Sequence, residues 1–275
     1  NYRYVLPALN DADPTSVPTG HDSTWTSLSL RTIAKRLVQQ AQTWTGGAVP
    51  LVFEADFTDI NARTYLGMDL QNLGEKLAQL NQVLNGPDIA FRPRFATNPN
   101  YVEWVMLTGN PELTQSGADL VWDTGAPFPT VRGVSVTRDG TAYRTDDYEV
   151  GSAPPDDQTA PPLMTKSYDS TLIARNFPRM EGSSGNHSSG NILDTLQSYS
   201  DNAVLMGEHP IETWSFESKI DGEPSLVQVD EGNYGNVKTK NSPRLGTGDH
   251  PVRIMQYTAT KGSNFIKIDC LPDRS

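Results

Sequence analysis

The chain has 275 residues, 36% of them hydrophobic, with 22 Gly and 20 Pro. That length suffices for one large domain or two with a buried core, and the turn-forming content favours a β-rich, loop-heavy fold over a helical bundle. The formal net charge of -11 argues against an extended phosphate-binding surface and hence against sequence-specific nucleic-acid binding, while the single Cys270 excludes an intrachain disulfide framework or a multi-cysteine zinc site.

Tyr2-Arg3-Tyr4-Val5-Leu6 reads as a strand entered directly from Asn1, so a fragment or a processed chain is expected. No apolar run approaches the length of a membrane span, and no secretory signal is visible. Residues 10–24 form a polar loop rich in Asp, Pro and Thr. A helix follows, with Leu30, Ile33, Ala34, Leu37, Val38, Ala41 and Trp44 on one stripe, Ser27 or Ser29 as cap, and Gly46-Gly47 as stop. Leu51 to Phe57 and Ala62 to Gly67 read as strands joined by an Asp-Ile-Asn turn.

Leu70, Leu73, Leu77, Leu80 and Leu84 recur at spacings of three and four, lining one face of a second helix. Asp69 sits at the N-cap position, and Asn85-Gly86-Pro87 ends the helix, with Gly86 free to adopt the left-handed cap. Ile89, Phe91 and Phe95 resume with period two, as a half-buried strand does. The two helices are expected to cover one face of a small sheet.

Tyr101 to Leu107 reads as a strand, and Val131 to Val136 with Thr141 to Thr145 as a hairpin turning at Asp139-Gly140. Residues 151–162, GSAPPDDQTAPP, suit a linker that is exposed and mobile. A third helix runs from Ile192 to Met206, with Ile192, Leu196, Tyr199 and Ala203 on one stripe. Five short strands close the chain: Ile211–Ile220, Leu226–Val229, Asn236–Lys240, Val252–Thr260 and Asn264–Leu271. Their spacing suggests a small barrel or sandwich.

Several of these segments recur together in a known order. They are Arg63-Thr64-Tyr65-x-Gly67-x-Asp69-Leu70, the amphipathic helix, and Gly86-Pro87-Asp88-Ile89-x-Phe91-x-Pro93. Trp104 with Gly109-x-Pro111, the stretch Val131–Thr145 followed by Gly151, His209-Pro210-Ile211-Glu212-Thr213-Trp214 and His250-Pro251-Val252-Arg253-Ile254 continue it. The series, covering roughly residues 25–272, resembles the minor tail proteins of long-tailed phages that infect actinobacteria, relatives of the tail-hub or baseplate-hub proteins. Phe177-Pro178-Arg179-Met180-Glu181 departs from the family's Tyr-Pro-Leu-Leu-Glu-like turn.

The resemblance implies an α+β, β-rich fold: a small α/β module with two amphipathic helices plus antiparallel β-barrel or sandwich modules. The corresponding boundaries are 1–24 for the end of a preceding β domain and loop, 25–96 for the α/β module, 97–150 for a β module, 151–165 for the linker and 166–275 for a helix plus barrel-like domain. It further implies a virion protein at the tail tip, forming a homo-oligomeric ring, a trimer. That ring would join the tail tube to fibres or receptor-binding parts and contact the distal tail and tape-measure proteins, without catalysis. The alternative functions are a tail-associated cell-wall hydrolase and a carbohydrate-binding module.

Catalytic and metal patterns are sparse. His21, His187, His209 and His250 each lie in a turn-rich stretch without a partner at i+3 or i+4, and read as solvated turn histidines. Ser183 or Ser184 with His187 would be the nucleophilic unit of an esterase, but the strand-to-helix Gly-x-Ser-x-Gly elbow is missing, and a polar loop before a helix is the plainer reading. Asp146-Asp147 and Asp156-Asp157 could bind Ca²⁺, yet without an Asp-x-Asp-x-Asp-Gly loop they read, like Asp11 and Asp13, as solvated acidic faces. A glycosidase pair of carboxylates cannot be selected among 33 acidic residues. Gly-rich phosphate cradles are absent. Of the tryptophans, Trp44, Trp104 and Trp214 fall on expected buried faces, leaving Trp25 and Trp122 as sugar-stacking candidates. No catalytic residue, cofactor or metal is therefore assigned.

Overall fold

A computed structural model describes residues 22–43, 48–65, 72–115, 117–153, 159–183, 193–242 and 245–273. The expected strand at Tyr2–Leu6, the Gly46-Gly47 stop, and Trp44, Asp69, Leu70 and Ile192 lie outside the described residues. In chain order the elements are β1 (Ser23–Leu28), α1 (Leu30–Gln42), β2 (Leu51–Phe53), β3 (Asn61–Tyr65), α2 (Leu73–Asn81), β4 (Ile89–Phe95), β5 (Val102–Thr108), β6 (Leu120–Asp123) and β7 (Val131–Asp139). Then come β8 (Asp146–Val150), β9 (Met164–Tyr168), α3 (Thr171–Ala174), β10 (Glu181–Gly182), α4 (Leu193–Gly207), β11 (Ile211–Lys219), β12 (Tyr234–Ser242), β13 (Gly246–Ala259) and β14 (Phe265–Pro272). The protein is β-rich with few helices and several sheets, as expected.

The chain forms two compact units, each made of two chain segments: Asn1–Glu112 with Tyr143–Glu208, and Leu113–Ala142 with His209–Ser275. Residues 97–150, read from sequence as one β module, are divided between them, with Val102–Thr108 in the first and Leu120–Asp139 in the second. Likewise, residues 151–163 connect the antiparallel strands β8 and β9 inside the first unit.

In the first unit, α1 and α2 bury Ile33, Ala34, Leu37, Leu73 and Leu80 together with Tyr65 and Met106. Ser29 is the cap of α1, its hydroxyl accepting from the Thr32 N–H. Where the sequence suggests loop and helix entry, β1 pairs with β3, Trp25 packing edge-on against Tyr65. β2 and β3, expected to be joined strands, belong to different sheets, β2 running parallel to β5 and β5 antiparallel to β4. The cap of α2 as described is Asn72, whose side chain accepts from Gly74. Past the end of α2 it is Asn85 that turns left-handed, at φ 57. Gly86 serves close approach instead: a Cβ there would lie 2.5 Å from the Asn81 carbonyl oxygen.

α4 packs on the β8–β9 hairpin and is tied to the end of α2. The Leu84 N–H donates to Ser198 Oγ at 3.0 Å, and Asn202 Nδ2 donates to the Gln82 carbonyl at 2.8 Å. Its buried stripe is Leu196, Ser200, Val204 and Gly207, one residue round from the expected Tyr199 and Ala203. The shift follows from Ser200, whose hydroxyl finds a buried partner in the Asp147 carbonyl at 2.8 Å.

The second unit is one six-stranded sheet, order β6-β12-β13-β14-β11-β7, antiparallel except for the parallel pair β6–β12. β6 and β11 are four strand steps apart, which would separate them by roughly 19 Å in a flat sheet. Yet the rings of Trp122 on β6 and Phe216 on β11 lie 4.9 Å apart, and Trp122 Nε1 donates to Ser218 Oγ at 2.9 Å. The sheet therefore coils around Trp122 as an open barrel, without hydrogen-bonded closure between β6 and β7. The bulge at Gly133, φ 65, where β7 slips register against Ser215/Glu217, helps it bend.

Two sequence expectations fail in this unit. Val131–Val136 does not turn back on Thr141–Thr145: the Asp139 carboxylate accepts from the Thr141 N–H and hydroxyl at 2.9 and 2.7 Å, leading the chain out of the ladder. β7 pairs with β11 instead, with Arg132–Glu217 and Arg138–Glu212 ion pairs across the two strands. Leu226–Val229 is a 3-10 turn at Leu226–Gln228, fixed by reciprocal capping between Ser225 and Gln228.

Candidate functional site

The β4–β5 hairpin carries an apolar face that the helices cover only in part. Strand register places Ile89, Phe91, Pro93 and Phe95 on the same side as Thr108, Met106, Trp104 and Val102. Exposure along β5 grows from 1% at Met106, under the helices, to 43% at Trp104 and 51% at Val102; along β4 it reaches 74% at Phe95. The hairpin thus extends roughly 13 Å, four residues of strand, beyond its helical cover. The opposite face of that overhang carries a salt bridge, Arg94 Nε to Glu103 Oε1 at 2.6 Å. One aromatic face and one charged face make this overhang a candidate contact surface, since soluble chains rarely leave contiguous aromatic surface uncovered.

A second concentration of chemistry lies on β8, and it overturns the reading of Asp146-Asp147 as a solvated acidic face. Asp146 is 1% and Asp147 0% exposed. Asp146 accepts from Lys166 Nζ at 2.6 Å, from Arg179 Nε and Nη2 at 3.1 Å each, and from the Thr145 hydroxyl at 2.9 Å. Burial alone would raise its pKa, but these bonds and the Arg179 charge outweigh it and hold the carboxyl below the usual range. Lys166 also lies over the Tyr148 ring, and Arg179 reaches Glu181 at 2.7 Å. On the reverse side of the strand Asp147 and Glu149 face α4, both fully buried, with Arg144 Nη1 donating to Asp147 Oδ1 at 2.5 Å. Burial and then Glu149 push Asp147 up to about 6, against the pull of Arg144.

The other sequence candidates are scattered. Ser184, His187, His21, Asp11, Asp13, Asp156 and Asp157 lie outside the described residues. Ser183 is exposed after β10, and His209 lies in the turn before β11. His250, expected in a turn, sits within β13, its ring 4.8 Å from that of Trp214 and its Nε2 2.9 Å from Thr239 Oγ1. Trp122, a sugar-stacking candidate, is fully buried, whereas Trp104, expected in the core, is exposed. Cys270 is buried, and burial pushes its thiol up to about 12. Among the described residues, no group of three His, Cys, Asp or Glu is placed to hold a metal, and no helix is long and apolar enough to cross a membrane.

No family model and no curated protein matches the sequence. The fold does match solved structures. The tail protein from Neisseria meningitidis MC58 aligns with a TM-score of 0.51 and 10% identity over 92% of this chain and 69% of that one. The 43 kDa tail protein of prophage MuSo2 from Shewanella oneidensis aligns with a TM-score of 0.51 and 10% identity over 94% of this chain and 69% of that one. At such identity the likeness is one of fold.

Proposed function

We propose that this chain is a structural component of a phage tail, a minor tail or hub protein at the tail tip of a long-tailed phage infecting actinobacteria. The observation that supports the reading is a fold shared over more than nine-tenths of the chain with a tail protein of Neisseria meningitidis and a prophage tail protein of Shewanella oneidensis. Copies assemble as a ring, a trimer, that continues the tail tube, contacts the distal tail and tape-measure proteins, and anchors fibres or receptor-binding parts. Function then resides in surfaces rather than in a reacting centre. The overhang bearing Phe95, Val102 and Trp104 is assigned to contact with a neighbouring copy, where its aromatic face would be withdrawn from water. The net charge of -11 suits a ring around a DNA conduit whose inner wall repels phosphate.

The test combines assembly with turnover. Replacing Phe95 and Trp104 by Asp should abolish ring formation, read by sedimentation, while circular dichroism and unfolding of the monomer stay near wild type. Normal rings in that variant would remove the overhang from the interface. Replacing Ser183, Ser184 and His187 by Ala should leave assembly and infectivity unchanged. Measurable peptidoglycan cleavage that disappears in this triple variant would establish the hydrolase instead.

A further inference from the structure

We propose that Asp147 and Glu149 share one proton in the folded chain, forming a pH-sensitive latch that fastens the β8–β9 hairpin to α4. The inference is independent of the tail reading and rests on how the two carboxyls are enclosed.

Asp147 and Glu149 are two residues apart on β8, so both project to the same side, and both are 0% exposed. β9 places Ser167 opposite Asp147 and Thr165 opposite Glu149, both buried and uncharged. From α4 come Ser200, which donates to the Asp147 backbone carbonyl, Tyr199, and Asp201, which accepts from Ser167 Oγ and from Gln197 Nε2. Burial pushes Tyr199 up to about 12, so it stays neutral, with Arg63 of β3 drawing it down and Glu149 adding to the rise. Lys166, the charged residue of β9, is engaged on the reverse face with Asp146. β10 contributes Gly182, paired with Asp147 and with no side chain; a Cβ there would fall 2.6 Å from Arg144 Nε, so the glycine admits that guanidinium.

Arg144 satisfies only one oxygen of Asp147. Oδ2 is buried and, among the described residues, has no hydrogen-bond donor. The Glu149 carboxyl, two residues along on the same side of β8, is the acidic neighbour buried beside it. Two ionised carboxylates in contact inside a protein repel strongly, and a buried acceptor without a donor is costly. A single proton held between them resolves both conditions, turning the repulsion into an O–H···O⁻ hydrogen bond of the short, strong type.

The sign follows from the folded state holding a proton that the unfolded chain releases. Asp147 is raised from 3.8 to about 6, first by burial and then by Glu149. The latch contribution is therefore complete below about 3.8 and disappears as pH rises through about 6. Across that window the opening constant of β8, β9 and α4 should increase on the order of a hundredfold. Acidification thus tightens this region, and neutral pH loosens it.

Carboxyl-carbon NMR titration of the unaltered chain should find one side-chain carboxyl titrating near pH 6; titration of every Asp and Glu below pH 5 would overturn the shared proton. Hydrogen exchange, corrected for its intrinsic pH dependence, should show protection lost in β8, β9 and α4 between about pH 4 and about pH 7.5 but retained in β12–β14. Equal protection at both pH values would overturn the latch. In Glu149→Gln, whose amide N–H can donate to Asp147, the titration should move down from near 6 and the pH-dependent exchange should weaken, burial alone remaining to raise the group; an unmoved titration would also refute the pairing. If that variant fails to fold, the two measurements on the unaltered chain decide the matter.

Discussion

Replacing Trp122 by Ala should nearly unfold the second unit. The indole is fully buried on an edge strand, yet it packs tilted against Phe216 and donates to Ser218 four strands away, so it spans the interior of the coiled sheet. Truncating a buried aromatic to Ala costs about 3–5 kcal/mol. The same change strands the Ser218 hydroxyl, 1% exposed, which adds roughly 1–3 kcal/mol of unsatisfied polar group. Because these losses share atoms, the expected total is about 4–6 kcal/mol, comparable with the entire stability of many domains. Trp122→Phe, which keeps ring packing but loses the N–H donor, should cost only ~1–3 kcal/mol. The Trp122→Phe and Ser218→Ala changes together should cost less than their sum, because each removes the same bond. Guanidinium unfolding followed by NMR signals of β12–β14 gives all four values. A loss below ~1 kcal/mol for Trp122→Ala, with an unchanged denaturant slope, would refute the coiled-barrel reasoning.

In the first unit, Leu80→Ala should destabilise by about 2–5 kcal/mol and Leu77→Ala by clearly less, since Leu80 is 2% exposed and Leu77 only half-buried. Thermal unfolding compares them, and equal shifts would mean that α2 is rotated from its described position. Gly86→Ala should cost at least ~1–3 kcal/mol, because its new methyl would meet the Asn81 and Leu80 carbonyl oxygens at 2.5 and 2.6 Å; a neutral result would show that the turn relaxes freely. Trp25→Ala should impair the β1–β3 pairing through loss of Tyr65 contact, read as faster amide exchange at Thr64 and Tyr65, whereas unchanged protection would make that aromatic pair incidental.

The helices were the legible part of this fold. Apolar residues at three- and four-residue spacing mark α1 and α2 because a helix repeats locally, and the register of Ile33, Leu37 and Leu80 needs no knowledge of the partner. Pairing partners were not legible. β7 carries a turn signal at Asp139-Gly140 that looks like a hairpin, but its ladder partner β11 lies more than seventy residues on, and nothing local encodes that choice. β8 is not legible locally because its sequence, DDYEV, is mostly charged, and its strand character depends on Arg144, Lys166 and Arg179. The tryptophans exchanged roles for a similar reason. Trp122 and Trp104 both lie on strands, and whether such a face is covered depends on elements distant in sequence, the coiled sheet in one case and the short helical cover in the other. A visible hint of the overhang was present in Phe91-Arg92-Pro93-Arg94-Phe95, where aromatic and basic residues alternate around a proline that suits an edge strand.

Electron cryomicroscopy of a phage particle proposed to carry this protein offers the most direct decision on a structural role in the tail. The account predicts a ring of three copies at the distal end of the tube, with Phe95, Val102 and Trp104 buried against the adjacent copy and an acidic inner wall. Absence of the chain from the particle, or its presence only as a detached enzyme with Trp104 facing solvent and a lumen lined by Lys and Arg, would contradict it.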